Sequence, residues 1–217
     1  MSTEVQSSHS QLESADNHFK TGSFAEAEKI YREVLTRNPK NFRSNLRLGY
    51  IALLANRLDD AQKWLAQAIK LKPREIEPRA LLAEVWHRKD EFELAAPLLQ
   101  SIGREAMAKK LESFKNVSPY QIEGETKSTS LRFVMTDPLP VIQVRVNGSE
   151  AVNFFIDTGG AEVIVDTDFA KEIGTAQFGS ETGVFAGGQK SGFEHGRVDS
   201  LSLSDFVVKN VPVALMD

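Results

Sequence analysis

The chain has 217 residues, 41% of them hydrophobic, enough for one large packed domain or two small ones. Its 26 Lys and Arg against 30 Asp and Glu give a formal net charge of −4 with no basic stripe, which argues against a nucleic-acid partner. The absence of cysteine removes disulfides, thiol nucleophiles and thiolate metal sites together.

Met1 to Glu13 is polar, without the apolar run of a secretory signal, and residues 1–7 are read as a disordered tail. No segment is long and apolar enough to span a bilayer. A soluble, cytoplasmic protein without a membrane partner is therefore expected; a continuation at the N-terminus would admit the periplasm.

From Ser8 the pattern recurs with a spacing of 34 residues, visible in Gly22, Asn56 and Asp90 and again in Phe24, Leu58 and Phe92. Ala27, Ala61 and Ala95 follow in the same register, as do Tyr31, Leu65 and Leu99, and Ala15, Gly49 and Ala83. Small residues let antiparallel helices approach closely, and the larger ones fill the space between repeats. Gly22, Asn56 and Asp90 suit the C-terminal turn of each first helix, where left-handed backbone is needed. The predicted units are 8–41, 42–75 and 76–109, each helix, turn, helix, with a capping helix around Ala106 to Phe114 completing 8–115. Pro39 and Pro73 close the first two units, whereas the third has Met107 at that place and Pro97 inside its second helix. The series resembles the tetratricopeptide repeat. That resemblance implies an all-α solenoid with a groove for a protein or peptide partner, and helical spacing nominates Arg43, Arg47, Tyr50, Glu84 and His87 to face it.

Residues 116–130 lose the helical period and gain Ser, Pro, Gly and Thr, which marks a linker and a first strand region. Leu131 to Met135 reads as a short strand, Asp137-Pro138-Leu139-Pro140 as punctuation, and Val141 to Val146 as an alternating strand before an Asn147-Gly148 hairpin turn. The returning strand, Val152 to Ile156, delivers Asp157-Thr158-Gly159 at its end, and Ala161 to Val165 is apolar again. A carboxylate between two apolar strands is an expensive placement unless it is used.

A hairpin running into Asp-Thr-Gly, then an apolar strand and a short helix near Asp168 to Ile173, resembles the retropepsin-like aspartic proteases in their single-lobed, bacterial-type form. The fold class is thus an all-α repeat followed by a mainly-β acid protease domain over 131–217. In such chemistry two carboxylates share one proton: one activates a water and the other polarises the peptide carbonyl. Asp157 supplies one of them, Thr158 a bridging hydroxyl, and Gly159 the room for close backbone approach. Asp166-Thr167 is followed by Asp168 and Asp199-Ser200 by Leu201, so neither repeats the motif; they read as a helix cap and the end of a surface strand. The dyad then requires a second copy of the chain, as an isologous homodimer.

The Gly-rich stretch to Gly192, with Phe185, Ala186, Gly187 and Gly188, corresponds by the same resemblance to a flap over bound substrate. Its spacing fails the phosphate-loop pattern. His9, His18, His87 and His195 have no ligand spacing, so no metal or cofactor is expected; His18 and His87 read as helix-surface residues and His195 as a strand-edge one. The family pattern continues past Leu215 into an apolar-apolar-Gly segment, a helix and a closing strand, so the domain reads as incomplete at Asp217. Gly160 stands where Ala, Ser or Thr is usual. Two functions remain open: a dimeric aspartic endopeptidase whose repeats bind protein, or a non-catalytic repeat scaffold carrying an inactive protease-like module.

Overall fold

The computed structural model describes residues 2–125, 128–160, 162–184 and 186–217. The chain divides into two compact units, Met1–Gly103 and Arg104–Asp217.

In the first unit six helices follow one another: α1 (Ser2–Lys20), α2 (Phe24–Arg37), α3 (Phe42–Leu54), α4 (Leu58–Leu71), α5 (Ile76–Arg88) and α6 (Phe92–Ser101). They pack as three antiparallel pairs, and Gly22, Asn56 and Asp90 take φ values of 79°, 54° and 58° at the turns that join them. Ala15, Ala27, Ala61, Ala83 and Ala95 are all buried at the crossings. Gly49 is the tightest of these positions, since a Cβ there would lie 2.6 Å from Leu65 Cγ. Tyr31, Leu35, Leu48 and Ile51 make one core cluster, and Leu46, Leu53, Leu65, Leu82 and Val85 the next.

Two local expectations change. Helix α1 begins at Ser2, within the stretch read as a disordered tail; no Gly or Pro precedes Gly22 to break it. Helix α6 accommodates Pro97 but has 10 residues against 14 in α2 and α4. Among the described residues no helix is long and apolar enough to cross a membrane.

The second unit contains α7 (Glu105–Glu112), β1 (Gln121–Glu123), β2 (Val141–Val146), β3 (Val152–Phe155), β4 (Val163–Asp166), α8 (Thr167–Glu172), β5 (Ala176–Val184), β6 (Lys190–Leu203) and β7 (Phe206–Met216). The strands run in the order β1-β7-β6-β2-β3, with β5 added to β6 and β4 added to β7. Among the described residues only the β4/β7 pairing is parallel, with Val163 opposite Val213 and Asp166 opposite Met216. Val144, Val146, Val165, Val198, Val211, Val213 and Leu215 form the core.

The Asn147-Gly148 turn forms as read. Both residues have positive φ, 50° and 76°, and the Ser149 amide donates to the Val146 carbonyl at 2.9 Å. Asn147 also ties three segments together: its Oδ1 accepts from the Asp199 and Ser200 amides, and its Nδ2 donates to the Ile173 carbonyl. Asp199 accordingly sits inside β6 and not at a strand end. The strand expected over 131–135 is reduced to a bridge between Met135 and Val141. The Val134 amide donates to the Val141 carbonyl at 2.8 Å beside that bridge.

The helix expected to cap the repeats belongs to the second unit. Helix α7 packs on β5 and β6, with Ala108 and Leu111 buried and a Cβ on Gly179 (φ 117°) calculated 3.2 Å from Ala106 Cβ. Beneath it lies a cluster of charges. Lys110 Nζ, fully buried, donates to Glu162 Oε2 at 2.8 Å, and Arg104 pairs with Glu181. His195 Nε2 lies 3.4 Å from Glu181 Oε2, and its ring meets Phe193 edge-on at 4.9 Å. His195 is thus not at a strand edge: β6 is flanked here by Gly179 of β5 and Ala214 of β7, and the imidazole is buried.

Burial, then the charge of Lys110, holds His195 below the usual imidazole value of 6.5, with Glu181 opposing. Burial alone would raise Glu181, but its hydrogen bond and charge pairing with Arg104, helped by His195, keep it below the ordinary carboxylate range. Lys110 is lowered by burial against the pull of Glu162.

These shifts set a direction with pH. The unfolded chain protonates His195 near 6.5 while the folded chain resists, so this contribution is complete above 6.5 and is lost as pH falls toward the folded value. Glu181 acts in the same sense below its unfolded value of 4.5. Calorimetry is expected to show the second unit melting earlier at about pH 5 than at about pH 7, and His195→Gln flattening that slope. Trp64 and Trp86 both lie in the first unit, so their fluorescence separately reports the repeats.

Gly49→Ala tests the helix crossings. On an open helix face the exchange gains about 1 kcal/mol of propensity. Here the forced displacement of Leu65 costs about 1–3 kcal/mol, so a net loss of stability is expected in urea melts followed by tryptophan fluorescence.

Candidate active site

Strand β3 ends at Phe155, and the Ile156 amide donates to the Pro140 carbonyl at 2.9 Å, extending the pairing to the doorstep of Asp157. The chain then turns back on itself. The Gly159 amide donates to Asp157 Oδ1 at 2.8 Å, and the Gly160 amide to the Asp157 carbonyl at 3.2 Å. A Cβ on Gly159 would stand 3.3 Å from Asp157 Oδ1, and one on Gly160 3.3 Å from the Asp157 carbonyl oxygen. Two glycines in succession therefore let the turn close tightly on the aspartate, which gives the unusual Gly160 a steric reason. Asp157, Thr158, Gly159 and Gly160 are all exposed, so the carboxylate stays hydrated where its flanking strands are apolar.

Asp157 lines a cleft of about 1020 Å³ whose walls include Phe155, Ile156, Ile164 and Phe169. Phe155 and Ile164 are 64% and 51% exposed there, side by side with the exposed Ile156 on one apolar wall. Two further carboxylates reach the cleft, Glu162 and Asp166. Both are committed elsewhere. Glu162 holds Lys110, and Asp166 caps α8 by accepting from the Asp168 and Phe169 amides at 3.1 and 2.9 Å. Asp166 thus has the capping role its sequence context predicts. Among the described residues no group of three or more His, Asp or Glu is placed to hold a metal.

The glycine-rich segment forms the tip of the β5/β6 hairpin, which is last paired at Val184 and Lys190. Ala186–Gly188 make a short 3-10 turn, with Gly187 and Gly188 at φ 77° and 76°. Phe185 lies outside the described residues. Gly187 and Gly188 do not line the cleft around Asp157.

In the first unit the groove candidates are largely engaged with one another's helices. Arg43 pairs with Asp16 of α1, and Arg47 with Glu77 of α5, each at 2.9 Å. Arg47 also stacks 4.7 Å above the Phe19 ring, and Tyr50 lies 5.5 Å from that ring. Glu84 bonds Arg88 on its own helix, and His87 is half-buried, stacked 5.2 Å from Phe92. Asp16, Phe19 and Glu77 were not nominated by sequence; their only signal was complementary charge or aromaticity on neighbouring first helices. Lys110, Glu181 and His195 gave none, because their partners are distant in sequence.

A family model described as aspartyl protease matches residues 142–217, and a tetratricopeptide repeat model matches residues 18–85. No curated protein matches. Among solved structures, the chain is similar to one titled as a CopN–Scc3 complex, at 12% identity over 48% of this chain and 59% of that one, TM-score 0.43. It therefore spans less than two thirds of that structure's length. It is also similar to the second tetratricopeptide repeat domain of Spaghetti bound to an HSP90 peptide, at 17% identity over 44% of this chain and 88% of that one, TM-score 0.42. A third likeness is to the type III secretion translocator chaperone SycD of Yersinia enterocolitica, at 20% identity over 51% of this chain and 74% of that one, TM-score 0.41. Together with the helical pairs and the Asp157 turn, the family matches identify the chain as tetratricopeptide repeats followed by a domain of the retropepsin-like aspartyl protease family.

Proposed function

We propose that the chain is an aspartic endopeptidase whose active site forms between two copies, with the repeats serving to bind a protein or peptide. The observation that carries this reading is the exposed Asp157 on an apolar cleft, held by the Gly159 amide while Glu162 and Asp166 are occupied with other partners. A lone carboxylate is a poor catalyst for peptide hydrolysis. Two brought together share one proton, so that the ionised member takes a proton from water as it attacks, and the protonated member donates to the carbonyl oxygen. Since the other cleft carboxylates of the chain are engaged, the second member is the Asp157 of another copy, placed by a two-fold axis. The exposed Phe155, Ile156 and Ile164 offer apolar surface for the side chains flanking the scissile bond. Thr158 stands beside Asp157 at the same turn, where a hydroxyl can bridge the paired loops.

A dyad with one proton gives a bell-shaped pH dependence, falling at both ends as the pair gains or loses its shared proton. Hydrolysis of an apolar reporter peptide is expected to fall on the order of 10³-fold or more in Asp157→Asn, with helix and sheet content unchanged by circular dichroism. Specific activity is expected to rise with chain concentration until dimers predominate. Full activity in Asp157→Asn, or activity independent of concentration down to a demonstrably monomeric chain, rejects the reading.

A further inference from the structure

The turn carrying Asp157 is closed by bonds within itself, from the Gly159 and Gly160 amides back to Asp157. Those bonds shape the turn without attaching it to the rest of the domain. Among the described residues of 157–162, Glu162 alone has a side chain bonded outside the turn, and its partner is Lys110 of α7, at 2.8 Å. We propose that Lys110 is a positioning residue, which pins the exit of the Asp157 loop through Glu162 and so sets where the carboxylate stands for pairing with its counterpart. The proposal rests on the protease reading of the cleft.

Three observations support it. Lys110 is fully buried, yet the neighbours that pack α7 against the sheet, Ala108 and Leu111, are apolar. An apolar side chain at 110 would serve that packing equally; an ammonium is what reaches Glu162. The cost of burying the charge is offset locally, since Arg104 and Lys110 face Glu162 and Glu181, two against two, with the buried His195 held toward its neutral form. The anchor also lies where it has leverage. Val163, the residue after Glu162, begins the β4 pairing with β7, so Lys110 holds the loop at the last position before the sheet takes over.

A buried pair can be kept merely to neutralise itself, and the test separates that role from positioning. Lys110→Met alone leaves Glu162 without its cation and is expected to lower the melting temperature. Replacing both partners, Lys110→Met with Glu162→Met, removes the uncompensated charge and is expected to restore most of it. If Lys110 positions the loop, the double variant still shows amide exchange at 158–160 faster by about tenfold. In that variant kcat falls on the order of 10²-fold with KM little changed. Return of exchange and kcat to wild-type values together with the melting temperature overturns the proposal. Should that double variant not fold, Lys110→Leu with Glu162→Gln gives a second reading without an unpaired buried charge: exchange at 158–160 rises if the anchor operates and stays unchanged if it does not. Because exchange is read without catalysis, activity surviving in Asp157→Asn would reject the protease reading while leaving the anchor to be judged on exchange alone.

Discussion

The second unit depends on one pairing that differs from all the others, the parallel ladder between β4 and β7. Antiparallel neighbours can be joined by a tight hairpin, as β2 and β3 are at Asn147-Gly148, but a strand entering parallel must be delivered from elsewhere. Here the chain leaves β3, the last strand of the main sheet, and must arrive beside β7, on the far side of β6 and β2 in the strand order. Residues 156–162 make that passage. A connection so short cannot wander; it turns sharply at Asp157, with Gly159 and Gly160 close against the aspartate. The catalytic candidate is thus tied to topology, because it sits in the connection that carries the chain from β3 to the parallel strand β4, where the Gly159 amide holds its carboxylate. Among the described residues β3 and β4 are each paired on one side only, and Phe155 and Ile164 on them are exposed at the cleft.

Helix α7 adds a different kind of constraint. Its apolar face docks on β5 and β6 by area alone and would tolerate sliding, since hydrophobic burial has no preferred direction. The ion pairs remove that freedom. Arg104 engages Glu181 on β5, Lys110 engages Glu162 after the Asp157 turn, and Arg197 on β6 donates to the Ser113 carbonyl just beyond the helix. Three contacts to three separate segments fix the helix along its length and about its axis. The price is sensitivity to acid, because a third positive charge arriving on His195 would find the two local carboxylates already engaged.

What was legible in the sequence was whatever local backbone geometry or short spacing encodes. Gly22, Asn56 and Asp90 announced left-handed turns because few other residues tolerate them, and Asn147-Gly148 announced its hairpin for the same reason. The alanine series and Gly49 were readable because helix crossings demand small side chains at a fixed period. Asp157 stood out by chemical contrast with its flanks. The allegiance of α7 was not legible: a helix with Ala108 and Leu111 on its buried face reads the same whether it covers another helix or a sheet. Nor was the burial of His195, whose neighbours on β5 and β7 lie many residues away and are brought to it only by strand pairing. The strand expected over 131–135 is reduced to the Met135–Val141 bridge, since a run of apolar residues does not say whether a neighbouring strand continues the pairing.

The nominated groove residues of the repeats have a further meaning once their partners are known. Arg43 and Arg47 present positive charge only on paper, because Asp16 and Glu77 neutralise them across neighbouring repeats. Attraction by net charge is therefore a weak account of recognition there. Asp16 is held twice, since it also accepts from the buried Tyr31 hydroxyl, whereas Glu77 meets Arg47 at a more exposed position. Phe19 of α1 lies against Arg47 and Tyr50 of α3, so its ring is positioned by the next first helix. These residues thus link successive first helices of the repeats, through two charge pairs and one aromatic ring.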